Sequence, residues 1–172
     1  MSIDLSPRPA AAAPASAPSL GVDALIALTR SIAAQPELWQ PLVRFQESGR
    51  WWTRLEAPDG VDVWLLTWLP SQGTELHDHG ASAAAFTIAA GTLTEFRPDA
   101  GGTAVPRDFA AGLTQTVDPG DLHDVLNRGT EPAVSIHAYS PPLTRMTYWA
   151  TTTDGRLVPA RTVDTDEPET DK

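Results

Sequence analysis

The chain has 172 residues, with 12 lysines and arginines against 22 aspartates and glutamates, and its net charge is −10. This length supports one sizeable core, and the negative charge disfavours nucleic acids and anionic membranes, because both bind to cationic surfaces. The chain has no cysteine, which excludes disulfides, thiolate metal sites and a cysteine nucleophile.

The start of the chain is rich in proline, alanine and serine. We expect residues 1–20 to form a disordered arm, because such small side chains cannot offset the entropy lost on ordering. The arm lacks the cationic start and the apolar run of a signal peptide, and no later run is long enough to span a bilayer. We therefore expect a cytoplasmic protein.

A short amphipathic helix is predicted after the arm. Its apolar residues recur with a helical period, at Val22, Leu25, Ile26, Leu28 and Ile32. Pro36 should end this helix. The segment 36–45 adds at most a turn or two, because Pro41 disfavours a long uninterrupted helix.

From Trp51 onward, short runs of valine, threonine, leucine and aromatic residues alternate with turn-forming residues, which predicts strands. The runs cover residues 51–57, 61–69, 83–97, 111–117, 122–127, 132–140 and 144–152. We predict one all-β domain over residues 21–155, an antiparallel sandwich or a closed jelly-roll barrel with a short N-terminal helical segment. The acidic end, residues 156–172, is predicted to be a flexible tail.

Two of the four histidines stand two residues apart, at His77 and His79. On a strand these side chains point to the same face and can share one cation, although the pair alone also fits a solvated turn. His123 follows a Pro-Gly turn and begins an apolar run. Three neutral imidazoles suit iron, zinc, copper or nickel and leave coordination positions open.

The sequence resembles the cupin superfamily at two motifs. The first, a His-x-His pair followed by an acidic residue and a glycine, is met by His77, His79 and Gly91, while the acidic position falls on Ala84. A cupin that lacks this carboxylate retains three histidines. That ligand set is typical of the thiol dioxygenase branch.

The second motif, Gly-x-x-His-x-x-x-Asn, is met by Gly120, His123 and Asn127. The strings LHDHGAS and LHDVLNRGTEPAVSIHAYSPP, together with an upstream Trp-Thr-Arg, resemble the cysteine dioxygenase family over residues 50–150. The resemblance is to the arginine-type bacterial members. It implies a cupin β-barrel that binds ferrous iron through His77, His79 and His123.

Ser135, His137 and Tyr139 alternate along a predicted strand, so their side chains share one face. A hydroxyl, an imidazole and a phenol in a row can form a hydrogen-bonded relay. The resemblance implies that this catalytic set faces the iron. Without the resemblance, a buried core histidine and an interface tyrosine explain the same residues. The resemblance also implies a cis bond between Ser140 and Pro141.

The resemblance assigns substrate binding to Arg54 and Trp52. A guanidinium offers a planar fork for a carboxylate, and family members selective for 3-mercaptopropionate generally carry glutamine at this position. A surface ion pair of Arg54 with Glu56 or Asp62 is the alternative. Trp52 stands where animal members have tyrosine, and Ala84 stands where some of them have a cysteine that is crosslinked to the tyrosine.

The implied reaction adds both atoms of dioxygen to the sulfur of a small thiol, which converts cysteine to cysteine sulfinic acid. Another mercapto acid, such as 3-mercaptopropionate, is an alternative substrate. A non-catalytic metal-binding cupin module and a zinc-dependent isomerase or hydrolase are further alternatives. We also expect Asp78 and Asp124 to be solvated surface charges, and Trp64 and Trp68 to belong to the core or the pocket wall.

Overall fold

The computed structural model describes residues 19–99 and 103–168. Nearly all of the predicted N-terminal arm and the last residues of the predicted acidic tail therefore lie outside the described residues. No helix in the described segments is long and apolar enough to cross a membrane.

The N-terminal helical segment has the predicted form. Helix α1 (Val22–Ala33) is followed by the single turn α2 (Pro36–Trp39) and a 3₁₀ turn (Gln40–Leu42). The buried face of α1 carries Leu25 and Ile32. The apolar period of the segment thus identified the helix and the side that it packs against the sheet.

The rest of the described chain forms strands connected by turns. The strands are β1 (Trp52–Arg54), β2 (Asp62–Trp68), β3 (His77–Asp78), β4 (Ala83–Ala90), β5 (Thr92–Pro98), β6 (Ala104–Ala110), β7 (Thr114–Val117), β8 (Asp124–Leu126), β9 (Ala133–Ser140), β10 (Arg145–Thr151) and β11 (Leu157–Asp164). The predicted class, mostly β with a short N-terminal helix, is confirmed.

The paired strands are all antiparallel and form three sheets. A five-stranded sheet has the order β1-β2-β9-β4-β7, and two three-stranded sheets have the orders β11-β10-β3 and β6-β5-β8. An isolated bridge between His77 and His123 connects the last two sheets at the histidines. Strands that are distant in sequence therefore meet around one interior.

The five-stranded sheet has a different partner on each face. On β2, Trp64 and Trp68 belong to the core inside the barrel, whereas Val63 and Leu65 belong to the core that also contains Leu25 of α1. Both faces are buried, which explains why β2 is an almost continuous apolar run. Side chains on the inner face are the ones that can reach a site inside the barrel.

The run predicted over residues 83–97 is two strands, because the chain turns at Gly91. Gly91 has φ +76°, and a Cβ atom there would lie 2.7 Å from the carbonyl oxygen of Pro132. Both the positive φ and the lack of room for a Cβ atom favour glycine at this position. This explains the glycine of the first motif as a structural requirement.

Three strands were not predicted. Strand β3 has two residues, which is too short for a periodic signal, and β6 is almost entirely exposed. Strand β11 pairs along its length with β10, although the sequence analysis placed it in a flexible tail. That expectation is wrong for Leu157–Asp164. Main-chain hydrogen bonds to β10 hold this strand, and the composition of its mostly exposed side chains gives no sign of them.

Candidate metal centre

The three histidines that the sequence predicted as ligands converge in the barrel interior. His77 lies in β3, His79 follows that strand, and His123 directly precedes β8. The Nε2 atom of His79 is 3.1 Å from Nε2 of His77 and 3.5 Å from Nε2 of His123. All three residues are buried, and one nitrogen from each lies within 4.8 Å of the others.

The main chain brings two of these histidines together. The backbone N–H of His77 donates to the carbonyl of His123, and the N–H of His123 donates to the carbonyl of His77, both at 3.0 Å. Residues that exchange two such bonds are held directly opposite each other. The relative position of His77 and His123 is therefore a property of the backbone.

The outer ring nitrogens of two histidines have acceptors. Nδ1 of His77 lies 2.7 Å from the carbonyl oxygen of Glu75, and Nδ1 of His123 lies 2.9 Å from a carboxylate oxygen of Glu95. Since both partners accept, each Nδ1 carries the hydrogen and each Nε2 presents its lone pair to the centre. These neutral nitrogen donors fit a divalent transition metal.

Sequence reasoning missed Glu95. Its side chain is 2% exposed, and burial raises the pKa of the carboxyl group, against the lowering effect of the hydrogen bond from Arg97. A signal was present, because Glu95 shares strand parity with the core residue Leu93 and therefore points inward. An inward carboxylate requires a buried partner, and His123 is that partner.

Ser135, His137 and Tyr139 lie side by side on the inner face of β9, as predicted. The hydroxyl of Ser135 is 2.8 Å from Nε2 of His137, and the hydroxyl of Tyr139 is 3.4 Å from Nδ1. The indole N–H of Trp68 donates to Ser135 at 2.8 Å. Trp68, expected only as core or wall, therefore extends the relay by one donor.

Tyr139 joins this relay to the histidine cluster. Its ring lies edge-on to the ring of His79, with centroids 5.0 Å apart, and 4.7 Å from the ring of Trp64. Trp52 packs against Trp64, with ring centroids 6.1 Å apart, and is partly buried against the core inside the barrel. The indole N–H of Trp64 is buried and has no hydrogen-bond partner among residues 19–99 and 103–168.

Ala84 lies beside the site but has no side-chain group that can bind a metal. Ala84 is directly opposite Tyr139 in the pairing of β4 with β9, and it is buried. A methyl group there adds neither a carboxylate to the metal ligands nor a sulfur for a crosslink to Tyr139. The peptide bond between Ser140 and Pro141 is cis, as predicted.

Arg54 lies on the inner-face register but holds a different group from those considered in the sequence analysis. It is directly opposite Trp64 in the pairing of β1 with β2. Its guanidinium donates to the backbone carbonyl of Asp166 and, at 3.0 Å, to the carboxylate of the same residue. The ion pair is on the surface, and its partner is neither Glu56 nor Asp62.

The expectation that Asp78 is a solvated surface charge is wrong. Asp78 is buried and accepts hydrogen bonds from the indole N–H of Trp149 at 2.7 Å and from the backbone N–H of Gly80 at 2.8 Å. It therefore anchors the turn that carries His79. Asp124 is half-buried and does not match the expectation either.

Comparison with known proteins agrees with this site. A family model described as cysteine dioxygenase type I matches residues 16–151, which include every proposed site residue. The chain belongs to the cysteine dioxygenase type I family. The buried cluster of His77, His79 and His123 is accordingly the metal site of a cysteine dioxygenase family cupin.

One relative supports the family assignment by sequence, and two solved structures support the fold. Cysteine dioxygenase type 1 from Danio rerio is 28% identical over 140 residues, which are 72% of this chain and 67% of that protein. An uncharacterised Klebsiella pneumoniae protein with a double-stranded β-helix domain superposes with a TM-score of 0.53 at 16% identity, over 71% of this chain and 93% of its own.

A cupin superfamily protein from Desulfitobacterium hafniense superposes with a TM-score of 0.50 at 13% identity, over 60% of this chain and 87% of its own. These structural similarities establish the fold, and the predicted cupin barrel is confirmed. For a member of the cysteine dioxygenase family, the three histidines agree with a dioxygenase.

Proposed function

We propose that this protein is a non-haem iron thiol dioxygenase that converts L-cysteine and dioxygen to cysteine sulfinic acid. The observation that carries the proposal is the convergence of three buried imidazole nitrogens beside the hydroxyl-bearing ring of Tyr139. The reaction balances without another reductant, because the sulfur loses four electrons and both oxygen atoms end on it. Ferrous iron, when bound, would supply the redox chemistry that lets dioxygen react with a thiol.

The histidines would hold the iron with neutral donors. His77 and His123 each have the outer ring nitrogen fixed by an acceptor, so that the inner nitrogen stays available. Three neutral ligands leave the full charge of a divalent ion uncompensated within its ligand set, which favours an anionic thiolate over a neutral thiol. This arrangement supports a thiol as the substrate.

Tyr139 and its relay would control a proton at the edge of the site. His137 lies between the hydroxyls of Ser135 and Tyr139, so one imidazole tautomer accepts from Tyr139 and the other donates to it. Trp68 fixes the orientation of Ser135 from the far end. We propose that Tyr139 donates a hydrogen bond to the reacting oxygen or sulfur atoms and that His137 and Ser135 keep it oriented.

Arg54 is the proposed anchor of the substrate carboxylate, and Trp52 is the proposed wall beside it. Arg54 lies directly opposite Trp64, whose side chain belongs to the core inside the barrel, and this position supports the role. The guanidinium would have to exchange the Asp166 carboxylate for that of the substrate. An arginine at this position favours cysteine and assigns the chain to the arginine-type members, while 3-mercaptopropionate or a related mercapto acid is the alternative substrate.

Oxygen consumption by the iron-loaded protein tests the proposal. We expect one dioxygen consumed per cysteine and a product that has gained two oxygen atoms on sulfur. The matched controls are the zinc-loaded protein and the His123→Ala variant, which should consume none. An iron-loaded, folded protein that consumes no oxygen with cysteine, 3-mercaptopropionate or cysteamine would contradict the dioxygenase assignment and favour a metal-binding module without turnover.

A further inference from the structure

Glu95 places a buried negative charge one hydrogen bond away from the metal site. It lies on β5, opposite Val125 of β8 and Arg107 of β6, and its side chain turns into the barrel. The same carboxylate oxygen is 2.9 Å from Nδ1 of His123 and 2.9 Å from a guanidinium nitrogen of Arg97. Glu95 is therefore bound on two sides inside the protein.

The outer contacts of the histidines are not equivalent. Nδ1 of His77 donates to a neutral carbonyl, that of Glu75, whereas Nδ1 of His123 donates to a carboxylate. A hydrogen bond to a charged acceptor is stronger, and it increases the electron density that the opposite ring nitrogen offers to a metal. Of these two ligands, only His123 has its outer nitrogen bonded to a carboxylate.

Glu95 also supplies a carboxylate to a site whose ligand set has none. Ala84, where the cupin motif has an acidic residue, leaves the ligand set without a carboxylate. The pair Glu95–His123 restores a negative charge to the site without using a coordination position. Positions that a carboxylate ligand would fill then remain available for the substrate and dioxygen.

Arg97 fixes this carboxylate. Its guanidinium donates to Glu95 and to the backbone carbonyl of Thr116, and it lies 3.7 Å from the carboxylate of Asp121. Arg97 is 32% exposed, whereas Glu95 is 2% exposed. The arginine thus compensates the buried charge from the solvent side and leaves the other side of Glu95 to His123.

We propose that Glu95 is a positioning residue for the metal site, which fixes Nε2 of His123 as the ligand and strengthens metal binding through its charge. The inference rests on the metal site of the proposed function. It does not depend on which thiol is oxidised. It adds an outer pair, Glu95 and Arg97, to the residues that control how the three histidines bind the metal.

The test is the affinity of the purified full chain for Co²⁺, measured by competition with a chromophoric chelator without oxygen. Glu95→Gln keeps an oxygen that can accept from His123 and Arg97, and it removes only the charge. We expect its affinity for Co²⁺ to fall about 10- to 100-fold and the visible spectrum of the bound Co²⁺ to shift. Glu131→Gln, which removes an exposed carboxylate, should leave both unchanged.

Thermal unfolding of each apo variant shows whether it is folded. If Glu95→Gln does not fold, Glu95→Asp decides, because it keeps the charge that Arg97 compensates and withdraws the carboxylate from Nδ1 of His123 by one methylene group. We expect weaker Co²⁺ binding in that variant too. If the folded variant binds Co²⁺ with the affinity and the visible spectrum of the parent, the proposed role of Glu95 is wrong. The dioxygenase proposal would not be affected by that result.

Discussion

The carboxylate of Asp166 holds the guanidinium of Arg54, with 3.0 Å between the charged atoms. The same nitrogen of Arg54 also donates to the backbone carbonyl of Asp166, and the guanidinium holds the pKa of the Asp166 carboxyl below its usual range. The C-terminal segment thus occupies the group that we propose binds the substrate carboxylate. Both side chains are exposed, so a ligand can displace Asp166.

Asp166→Asn should make the substrate bind more tightly, because it removes a carboxylate that competes for Arg54. We expect the KM for cysteine to fall about two- to fivefold with kcat unchanged, the range typical of an exposed ion pair. Steady-state oxygen consumption measures it. Asp164→Asn, which breaks the exposed pair with Arg145, is the matched control and should leave KM at the parental value.

Arg54→Gln should discriminate between thiols with and without a carboxylate. Loss of charged hydrogen bonds to a carboxylate should raise the KM for cysteine about 10- to 100-fold. The KM for cysteamine, which has no carboxylate, should not change. The KM for 3-mercaptopropionate, measured in the same variant, compares the alternative substrate with cysteine. An equal change in KM for all three thiols would show that Arg54 does not bind the substrate carboxylate.

Tyr139→Phe should lower kcat by about 100-fold or more, as expected for removal of a positioned proton donor. The barrel should stay folded, because the ring contacts with His79 and Trp64 remain. The chain has one other tyrosine, Tyr148, whose hydroxyl contacts the sulfur of Met146, so Tyr148→Phe is the control. If both variants turn over equally, the hydroxyl of Tyr139 has no part in the reaction.

Metal removal should lower both activity and thermal stability. A ligand that binds only the folded state stabilises it by about 2.7 kcal/mol when present at 100 times its Kd. Chelation should therefore lower the Tm of the parent, and ferrous iron should restore it. In the variant His77→Ala, the Tm should be the same with and without the chelator.

Gly91→Ala should destabilise the fold more than the same change at another glycine of positive φ. At Gly91 the new Cβ would meet the backbone of Pro132 and Ala133 within 3.0 Å, whereas at Gly112, with φ +88°, it meets nothing within 4 Å. Gly112→Ala measures the conformational strain, on the order of 1–3 kcal/mol. Chemical denaturation should show a larger loss of the free energy of unfolding for Gly91→Ala than for this control.

Local patterns predicted the helix, most strands and the pair of His77 and His79, and the family resemblance identified the three histidines as one ligand set. His77 and His79 share a face because residues two apart on a strand always do, and the same rule aligns Ser135, His137 and Tyr139. The motif around His123 supplied the third histidine. Except for His123, these predictions concern neighbours along the chain, whose relative orientation follows from backbone periodicity.

Pairing between distant strands decided the remaining features. Glu95 reaches His123 because β5 lies beside β8, Asp78 is buried because β3 pairs with β10, and Asp166 reaches Arg54 across the fold. None of these partners is marked by spacing, because strand order and the path of the C-terminal segment determine which donor each carboxylate meets. Composition indicated an acidic, flexible end, and only the ladder between β10 and β11 shows that much of it is a strand.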